Sequence, residues 1–222
     1  MLLATLIITL AQVLYPLTPT LGPSTFVNEN EVEAFKKQNA NWTPEILEEE
    51  LLFNFYYPQE CGCWGDGFYN CVYHNDTTTT FLTSSNNYTY GSGNLTDLDL
   101  RTAWVEGVDG NGIGESITFE VETIEAADIK IQELVIVNGY VKNRNVWKAN
   151  SRVKKFKLYI DGTPKAILNL RDVDNYQKFN IQRFVSGLTK FELRLEIMEV
   201  IEGDKYADTA ISEIFFKGTG CM

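Results

Sequence analysis

Apolar and polar residues alternate in short runs along most of the chain after Ser116. This period of two is the pattern of half-buried β-strands, whose successive side chains point to opposite faces of a sheet. Turn-forming residues such as Asp161-Gly162 separate the runs, and no convincing helical pattern lies between them. Short strands at this spacing predict an all-β protein, an antiparallel β-sandwich. The predicted strands are Ser116–Val121, Ile129–Val137, Val153–Ile160, Lys165–Leu170, Lys178–Ile181, Phe191–Val200 and Ile211–Phe216.

The chain before residue 80 has a different pattern. Leu17–Asn28 is rich in Pro, Thr, Gly and Ser and predicts a linker. Thr43-Pro44-Glu45 supplies a capping residue, a first-turn proline and an acid near the positive end of the helix dipole, so a helix is expected to begin there. A shorter helix is predicted for Glu31–Gln38, and Phe53–Tyr73 is aromatic and cysteine-rich.

The first fifteen residues carry no charge and are apolar, which predicts a signal peptide although a positive n-region is missing. An uncleaved anchor is the alternative, but a transmembrane helix needs roughly 20 apolar residues and Pro16 cuts the run short. We therefore expect a secreted or cell-surface protein with no integral membrane span after cleavage. Its predicted parts are a signal peptide (1–15), a linker with an acidic helical segment and a cysteine- and aromatic-rich cap (16–79), and a β-sandwich domain (80–222).

Four cysteines, Cys61, Cys63, Cys71 and Cys221, fit an oxidising compartment and predict disulfide bonds. Three pairings are possible. Cys61 and Cys63 flank one glycine and are poor partners for each other. This favours one of them bonding to Cys71 and the other to Cys221, which would tie the N-terminal appendage to the end of the chain. A metal site at Cys61-Gly-Cys63 is disfavoured because the usual spacing and further soft ligands are missing.

The composition is that of a globular protein, with 44% hydrophobic residues, and the net charge is −11. Nucleic acid is not an expected partner of such an acidic exported protein. Basic residues are nevertheless crowded between Lys142 and Lys157. They could attract anionic ligands, although a solvated strand face with its loop explains them as well.

Two loops have the composition of a carbohydrate site. The first, Thr102–Glu115, holds a tryptophan and four glycines, and the second, Asn138–Arg152, holds amides, bases and two aromatic residues. Sugars need an apolar ring for their CH face and planar polar groups for their hydroxyls. We predict stacking by Tyr140 and Trp147, hydrogen bonds from Glu106, Asn138 and Asn145, and a handle for acidic sugars at Arg152 or its basic neighbours. Trp104 is also a candidate, with a core role as the equal alternative.

No catalytic constellation stands out, so no enzyme activity is predicted. The single histidine, His74, has no partnered nucleophile nearby, and the glycine loop matches neither the phosphate-loop nor the dinucleotide pattern. Glu106 and Glu115 could serve as a glycosidase pair, but acids are common in this chain. A glycan-acting enzyme is therefore the weakest alternative.

Five pieces of the chain match one known family in their order and spacing. They are Thr102–Gly107, Gly110–Glu115, Val137–Tyr140, Asn150–Lys155 and Lys205–Glu213. With these pieces, Ser84–Gly218 resembles the discoidin or coagulation-factor type C superfamily and looks closest to the NADase-type glycan-binding (translocation) domain. The resemblance implies a galactose-binding-like jelly-roll sandwich that binds cell-surface glycans and has no activity of its own.

The same resemblance implies a structural calcium site. Many discoidin-like domains hold Ca²⁺ in a loop ahead of a Thr and a Trp, completed by a late Glu. The corresponding hard oxygen ligands here are Asp97, Asp99, Thr102 and Glu213. Leu98 stands where the family has a turn glycine, so the loop departs from the pattern.

These observations together predict an exported, noncatalytic, lectin-like protein that binds cell-surface or extracellular glycans or glycoproteins through loops at one end of a sandwich. The alternative is an extracellular protein–protein docking module without sugar specificity, with the acidic front helices as its contact surface.

Overall fold

A computed structural model describes residues 14–58, 72–84, 87–124 and 129–220. Within them, two β-sheets face each other, and all seven predicted strands are present at nearly the predicted positions. The predicted β-sandwich is thus confirmed. The strands are β1 (Tyr15–Leu17), β2 (Thr20–Ser24), β3 (Val72–Thr78), β4 (Trp104–Val105), β5 (Ser116–Thr123), β6 (Lys130–Asn138), β7 (Arg152–Ile160), β8 (Thr163–Asn169), β9 (Asn175–Asn180), β10 (Lys190–Ile201) and β11 (Ala210–Thr219).

The two sheets have the strand orders β1-β8-β7-β10-β5-β3, here called sheet A, and β2-β9-β6-β11-β4, here called sheet B. Their strand pairs are antiparallel apart from β1 with β8. From β5 to β7 and again from β8 to β11, each connection crosses from one sheet to the other. The connections therefore gather as loops at the two ends of the sandwich.

The helices are short and lie mainly before the sandwich. They are α1 (Glu29–Gln38), α2 (Pro44–Leu51), which continues as a π-helical turn over Leu52–Tyr56, a 3₁₀ turn at Ser92–Leu95, α3 (Arg144–Ala149) and α4 (Gln182–Val185). Thr43 caps α2 as predicted, since its side chain accepts a hydrogen bond from the amide of Ile46. Asn28 caps α1 in the same way through the amide of Asn30. None of the helices in the described ranges is long and apolar enough to cross a membrane.

The main core fills the space between the sheets. Along β5, Ile117, Phe119 and Val121 are fully buried, whereas the alternate residues are more exposed. Leu134 and Ile136 of β6 face the same core from sheet B. This alternation is why the strands could be predicted from the sequence.

A second apolar layer covers the outer face of sheet B. Val135 and Val137 of β6 point away from the main core, yet both are fully buried. Phe26 and Tyr57, from the segment before the sandwich, pack against this layer. The N-terminal segment is therefore part of the fold and covers an apolar sheet face. The layer consists of Leu100, Val135, Val137, Val141, Trp147, Tyr176 and Phe215.

Trp147 belongs to this second layer, so its predicted role as an exposed stacking platform is wrong. Its side chain is only 8% exposed. The indole nitrogen donates a hydrogen bond to the carbonyl of Asn138 at 2.9 Å, and the ring meets that of Phe26 edge-on at 6.0 Å. The residue turns inward because α3, capped by Asn143, replaces the open loop that was expected.

The predicted linker is also wrong. Within Leu17–Asn28, β2 pairs with the edge strand β9, and Thr25 donates its amide hydrogen to the carbonyl of Asp174. Just before it, β1 adds in parallel to the edge of β8. Polar, proline-containing sequence is suited to such edge positions because one side of the strand needs no partner. The predicted disulfide bonds involve Cys61, Cys63, Cys71 and Cys221, which lie outside the described residues.

Replacing Trp147 by alanine is expected to reduce the free energy of unfolding by about 3–5 kcal/mol, the usual cost of removing a large buried ring. The measurement is urea denaturation of the wild type and the variant. Tyr206→Ala is the control, because Tyr206 is 43% exposed and its loss should change stability by less than about 0.5 kcal/mol. Equal, small losses for both variants would place Trp147 on the surface.

Candidate functional site

A cleft of about 530 Å³ opens at the loop end of the sandwich. Both loops singled out by the sequence reach it, because Val105 comes from the first and Tyr140 from the second. Its size lies within the roughly 300–1,000 Å³ typical of small-ligand sites. The lining residues are Leu82, Ser84, Tyr90, Val105, Tyr140, Lys142, Asn143, Val146, Asn150, Tyr206 and Asp208.

Tyrosines form the aromatic part of this cleft. The ring of Tyr90 lies 4.8 Å from that of Tyr88 and 6.3 Å from that of Tyr140. The Tyr140 hydroxyl donates a hydrogen bond to the carbonyl of Arg101 at 3.1 Å, and burial raises the pKa of Tyr140 to about 12. Tyr206 is exposed at the cleft. The rings of Tyr90 and Tyr140 are thus held in place before any ligand arrives, which lowers the entropic cost of binding.

Two asparagines line the cleft, and each uses one end of its side-chain amide for a hydrogen bond within the protein. Asn143 Oδ1 accepts from the amide of Val146 at 2.9 Å, and Asn150 Nδ2 donates to the carbonyl of Val146 at 2.8 Å. Among the described residues, the opposite ends of these amides, Asn143 Nδ2 and Asn150 Oδ1, have no hydrogen-bond partner. They supply one donor and one acceptor for a ligand.

Asn138 and Arg152, both predicted ligand contacts, instead support the cleft from below. Asn138 is buried and forms a double hydrogen bond with the backbone of Val153, at 2.7 and 3.1 Å. Arg152 is 6% exposed, binds Asp172 at 2.8 Å and lies over the ring of Trp147 at 4.5 Å. The predicted handle for acidic sugars is therefore wrong for Arg152 itself, because the guanidinium is buried and already paired, whereas its basic neighbour Lys142 lines the cleft.

Trp104 and Glu106 are also buried. Trp104 lies in the core and donates its indole hydrogen to the carbonyl of Thr80 at 2.9 Å, so the core alternative is correct. Glu106 accepts hydrogen bonds from the amides of Val108 at 2.8 Å and Thr209 at 3.3 Å, and burial raises its pKa. A Cβ at Gly112 would come within 2.5 Å of the Glu106 side chain. Glu106 therefore anchors the glycine loop and is too buried to contact a sugar.

Of the predicted glycan ligands, only Tyr140 lines the cleft, while Asn145 is exposed on α3 away from its lining. Sequence reasoning missed Tyr90, Tyr206 and Asp208. The last two lie in Lys205–Glu213, one of the pieces that carry the family resemblance. A tyrosine and an acid in this connection between β10 and β11 could have been recognised as candidate ligand contacts from the sequence.

The predicted glycosidase pair does not line the cleft either. Glu115 accepts hydrogen bonds from the hydroxyls of Thr79 and Thr80 at 2.6 and 2.5 Å, and Glu106 is held as described above. Both carboxylates are thus engaged in holding loops.

Three of the four predicted calcium ligands come together, and the fourth does not. Asp97 accepts a hydrogen bond from the Thr102 hydroxyl at 2.7 Å, and the amide of Asp99 donates to both Asp97 and Glu213 at 3.0 Å. The Asp99 carboxylate instead binds the Arg101 guanidinium through two oxygens. Leu98 has a φ of 60°, the left-handed conformation that glycine adopts at lower cost.

Glu213 contributes a buried carboxyl group to this cluster. It is fully buried, and its Oε2 has no hydrogen-bond partner among the described residues. Burial, followed by a hydrogen bond with the Asp97 carboxyl, raises the pKa of Glu213 well above its ordinary value, and burial also raises that of Asp97. Asp97 itself is exposed, but two adjacent carboxyls of which one is buried favour a shared proton or a cation. The pair therefore fits a hard cation in part, although the described residues contain no group of three acidic, His or Cys side chains placed to hold a metal.

The fold and the cleft define this chain as a β-sandwich domain with a ligand-sized cavity at its loop end. A family model described as "NAD glycohydrolase translocation F5/8 type C domain" matches residues 68–217, about two thirds of the chain. The chain belongs to this family. The match begins before residue 80, in agreement with β3, which pairs with β5 inside sheet A.

No curated protein matches this sequence. Solved structures similar in fold include two cryo-EM structures of the arabinofuranosyltransferase AftD from Mycobacteria. One, of a mutant, has a TM-score of 0.48 and 9% identity, and the match covers 68% of this chain and 12% of that chain. The other has a TM-score of 0.46 and 10% identity, covering 68% and 11%. The match thus spans only a small part of either AftD chain.

The Asp97–Glu213 pair makes stability depend on pH. Because the native state holds the Glu213 proton more tightly than the unfolded chain, this stabilisation is fully present below pH 4.5, the ordinary pKa, and is lost as pH rises through the raised native pKa. Glu213→Gln mimics the protonated acid and does not titrate. With a chelator present, we expect the stability of the variant relative to the wild type to increase as the pH rises above 4.5. Parallel curves of unfolding free energy against pH would contradict this.

Proposed function

We propose that this protein is a noncatalytic carbohydrate-binding module that recognises cell-surface or extracellular glycans in the cleft lined by Tyr90, Tyr140 and Tyr206. The observation that carries the proposal is the composition of that cleft. It combines tyrosine rings for the CH face of a sugar with an amide donor at Asn143 and an amide acceptor at Asn150. This is the mixture that sugar recognition needs.

Family membership supports a binding role, because the matched domain type is a translocation and binding module. The support also extends to the location, since such a module acts on surfaces outside the cell that exports it. In this proposal the apolar residues 1–15 direct export, and the carboxylates of Glu106 and Glu115 hold loops without taking part in chemistry.

The proposal includes a structural calcium ion bound by the carboxylates of Asp97 and Glu213, with the Thr102 hydroxyl beside them. The ion would neutralise the buried Glu213 carboxylate and the exposed Asp97 carboxylate beside it, and it would brace the loop that ends at Arg101. The carbonyl of Arg101 accepts the hydrogen bond from Tyr140, so the metal loop would also steady one wall of the cleft. Asp99 has no part as a side-chain ligand here, because Arg101 occupies its carboxylate.

Tyr206→Ala should weaken glycan binding by roughly 5- to 30-fold, because a ring that stacks on a sugar contributes on the order of 1–2 kcal/mol. The measurement is a glycan array followed by titration of the best sugar. Leu188→Ala is the control, since Leu188 is also exposed (39%) but lies beside Val185 on the connection between α4 and β10. A blank array from folded protein would contradict glycan binding and favour the docking module.

Calcium at about 10 mM should raise the melting temperature of the wild type relative to chelator. Sites of extracellular modules bind with dissociation constants of about 0.1–1 mM, so the expected gain is roughly 1.4–2.7 kcal/mol. Asp97→Asn and Glu213→Gln should abolish the gain, whereas Asp109→Asn, at an exposed acid of the glycine loop, should retain it. An equal gain in all four proteins would mean nonspecific binding of the ion.

A further inference from the structure

Two opposite charges line the cleft without neutralising each other. The Lys142 side chain is exposed at one part of the lining, and Asp208 is partly buried at another. Neither forms an ion pair with any described residue. The ammonium and the carboxylate are therefore more than 4 Å apart, and each is open to a charge that a ligand brings.

Asp208 is the more informative of the two. Burial raises the pKa of its carboxyl, which means that the surrounding protein has removed part of its water. A carboxylate that loses water without gaining a cation is costly to the folded protein. A ligand that delivers a positive charge beside Asp208 would recover this cost on binding.

The tyrosines around the cleft are suited to the same positive charge. Aromatic faces attract cations through their quadrupole, and cages of such rings recognise quaternary ammonium groups. Tyr206 already shows this attraction, because the Lys205 ammonium lies 4.7 Å from its ring centroid. Leu82, Val105 and Val146 add apolar surface to the lining. Apolar surface favours a methylated ammonium over a primary one, which is strongly hydrated.

A ligand of one charge would leave the other group without a partner. An anionic sugar would pair with Lys142 but bring like charge towards Asp208, and a simple amine would do the reverse. A ligand that carries both charges can satisfy both residues. The Asn143 amide donor lies in the same lining as Lys142 and could bind an anionic oxygen.

We propose that the cleft recognises a phosphocholine group, with its trimethylammonium among Tyr90, Tyr140, Tyr206 and Asp208 and its phosphate at Lys142. This inference rests on the proposed function, since it takes the same cleft as the ligand site and names the substituent of the glycan that is bound. Phosphocholine occurs on glycans and as a lipid headgroup, and the shared chemistry is what the cleft would recognise.

The test is calorimetric titration of the full chain with phosphocholine, choline chloride and inorganic phosphate at one ionic strength. We expect phosphocholine to bind at least about tenfold more tightly than either half, because both charges contribute. Asp208→Asn should weaken phosphocholine and choline but leave phosphate unchanged. Lys142→Gln should weaken phosphocholine and phosphate but leave choline unchanged.

Two control variants test whether the effect is specific to the charges that line the cleft. Asp204→Asn and Lys148→Gln remove exposed charges of the same signs near the cleft but outside its lining, and both should bind phosphocholine like the wild type. Thermal melting verifies that each variant is folded. Weakening by the controls equal to that of the cleft variants would overturn the proposal, because it would show a general effect of net charge.

Two further arms separate the possible sources of the group. A phosphocholine-substituted oligosaccharide that binds, when the unsubstituted one binds at least tenfold more weakly, supports a glycan source. Binding to phosphatidylcholine vesicles without binding to the oligosaccharide supports a lipid source. If phosphocholine fails while plain sugars bind on the array, only this inference is overturned. If the array is also blank, the proposed glycan function falls with it.

Discussion

The structure depends on covering sheet B on both faces. Successive residues of β6, Leu134 to Val137, alternate between the main core and the outer layer, and all of them are fully buried. A strand that is apolar on both faces is stable only when both faces are covered. Each Å² of apolar surface that is removed from water contributes about 25 cal/mol to stability. The segment before the sandwich supplies this cover through Phe26 and Tyr57.

This cover also builds the support beneath the cleft. Trp147 packs against Phe26 on one side and against Arg152 on another, and its indole holds the carbonyl of Asn138. Asn138 in turn fixes the start of β7 through Val153. Buried polar groups that are fully paired in this way are rigid. The loop between β6 and β7, which carries Tyr140, Lys142 and Asn143, therefore starts from a rigid base. Such support is what a binding site needs if it is to bind a ligand with little reorganisation.

The sandwich could be predicted because strand alternation is a local signal. Every strand after Ser116 carries it, and the cap at Thr43 follows from equally local chemistry. The edge strands β1 and β2 could not be predicted in this way, because their pairing depends on the unpaired edges of β8 and β9, far along the chain. A short polar strand has no pattern of its own until such an edge is present.

The candidate site shows the same division between local and distant information. The two loops have a composition that indicates polar binding surfaces, and both reach the cleft. Contacts with distant residues decide which of their side chains face the cleft. Asp172 binds Arg152, the amide of Thr209 donates a hydrogen bond to Glu106, and Phe26 packs against Trp147. Large and charged residues were favoured from the sequence because they could bind a ligand. In the structure those same residues form contacts within the protein, and tyrosines line the cleft instead.

Arg101 connects the three regions that the sequence treated as separate. Its guanidinium binds Asp99 and Glu48 of α2 and lies 4.9 Å from the ring centroid of Tyr56, while its carbonyl accepts the Tyr140 hydroxyl. The front helices, the Asp97–Glu213 loop and the cleft thus share one residue. Removing the front segment would expose the outer layer of sheet B and release Arg101 at the same time. Loss of binding after such a deletion would therefore report unfolding of the cleft wall, and only charge changes at exposed positions of α1 and α2 can separate a docking role from a structural one.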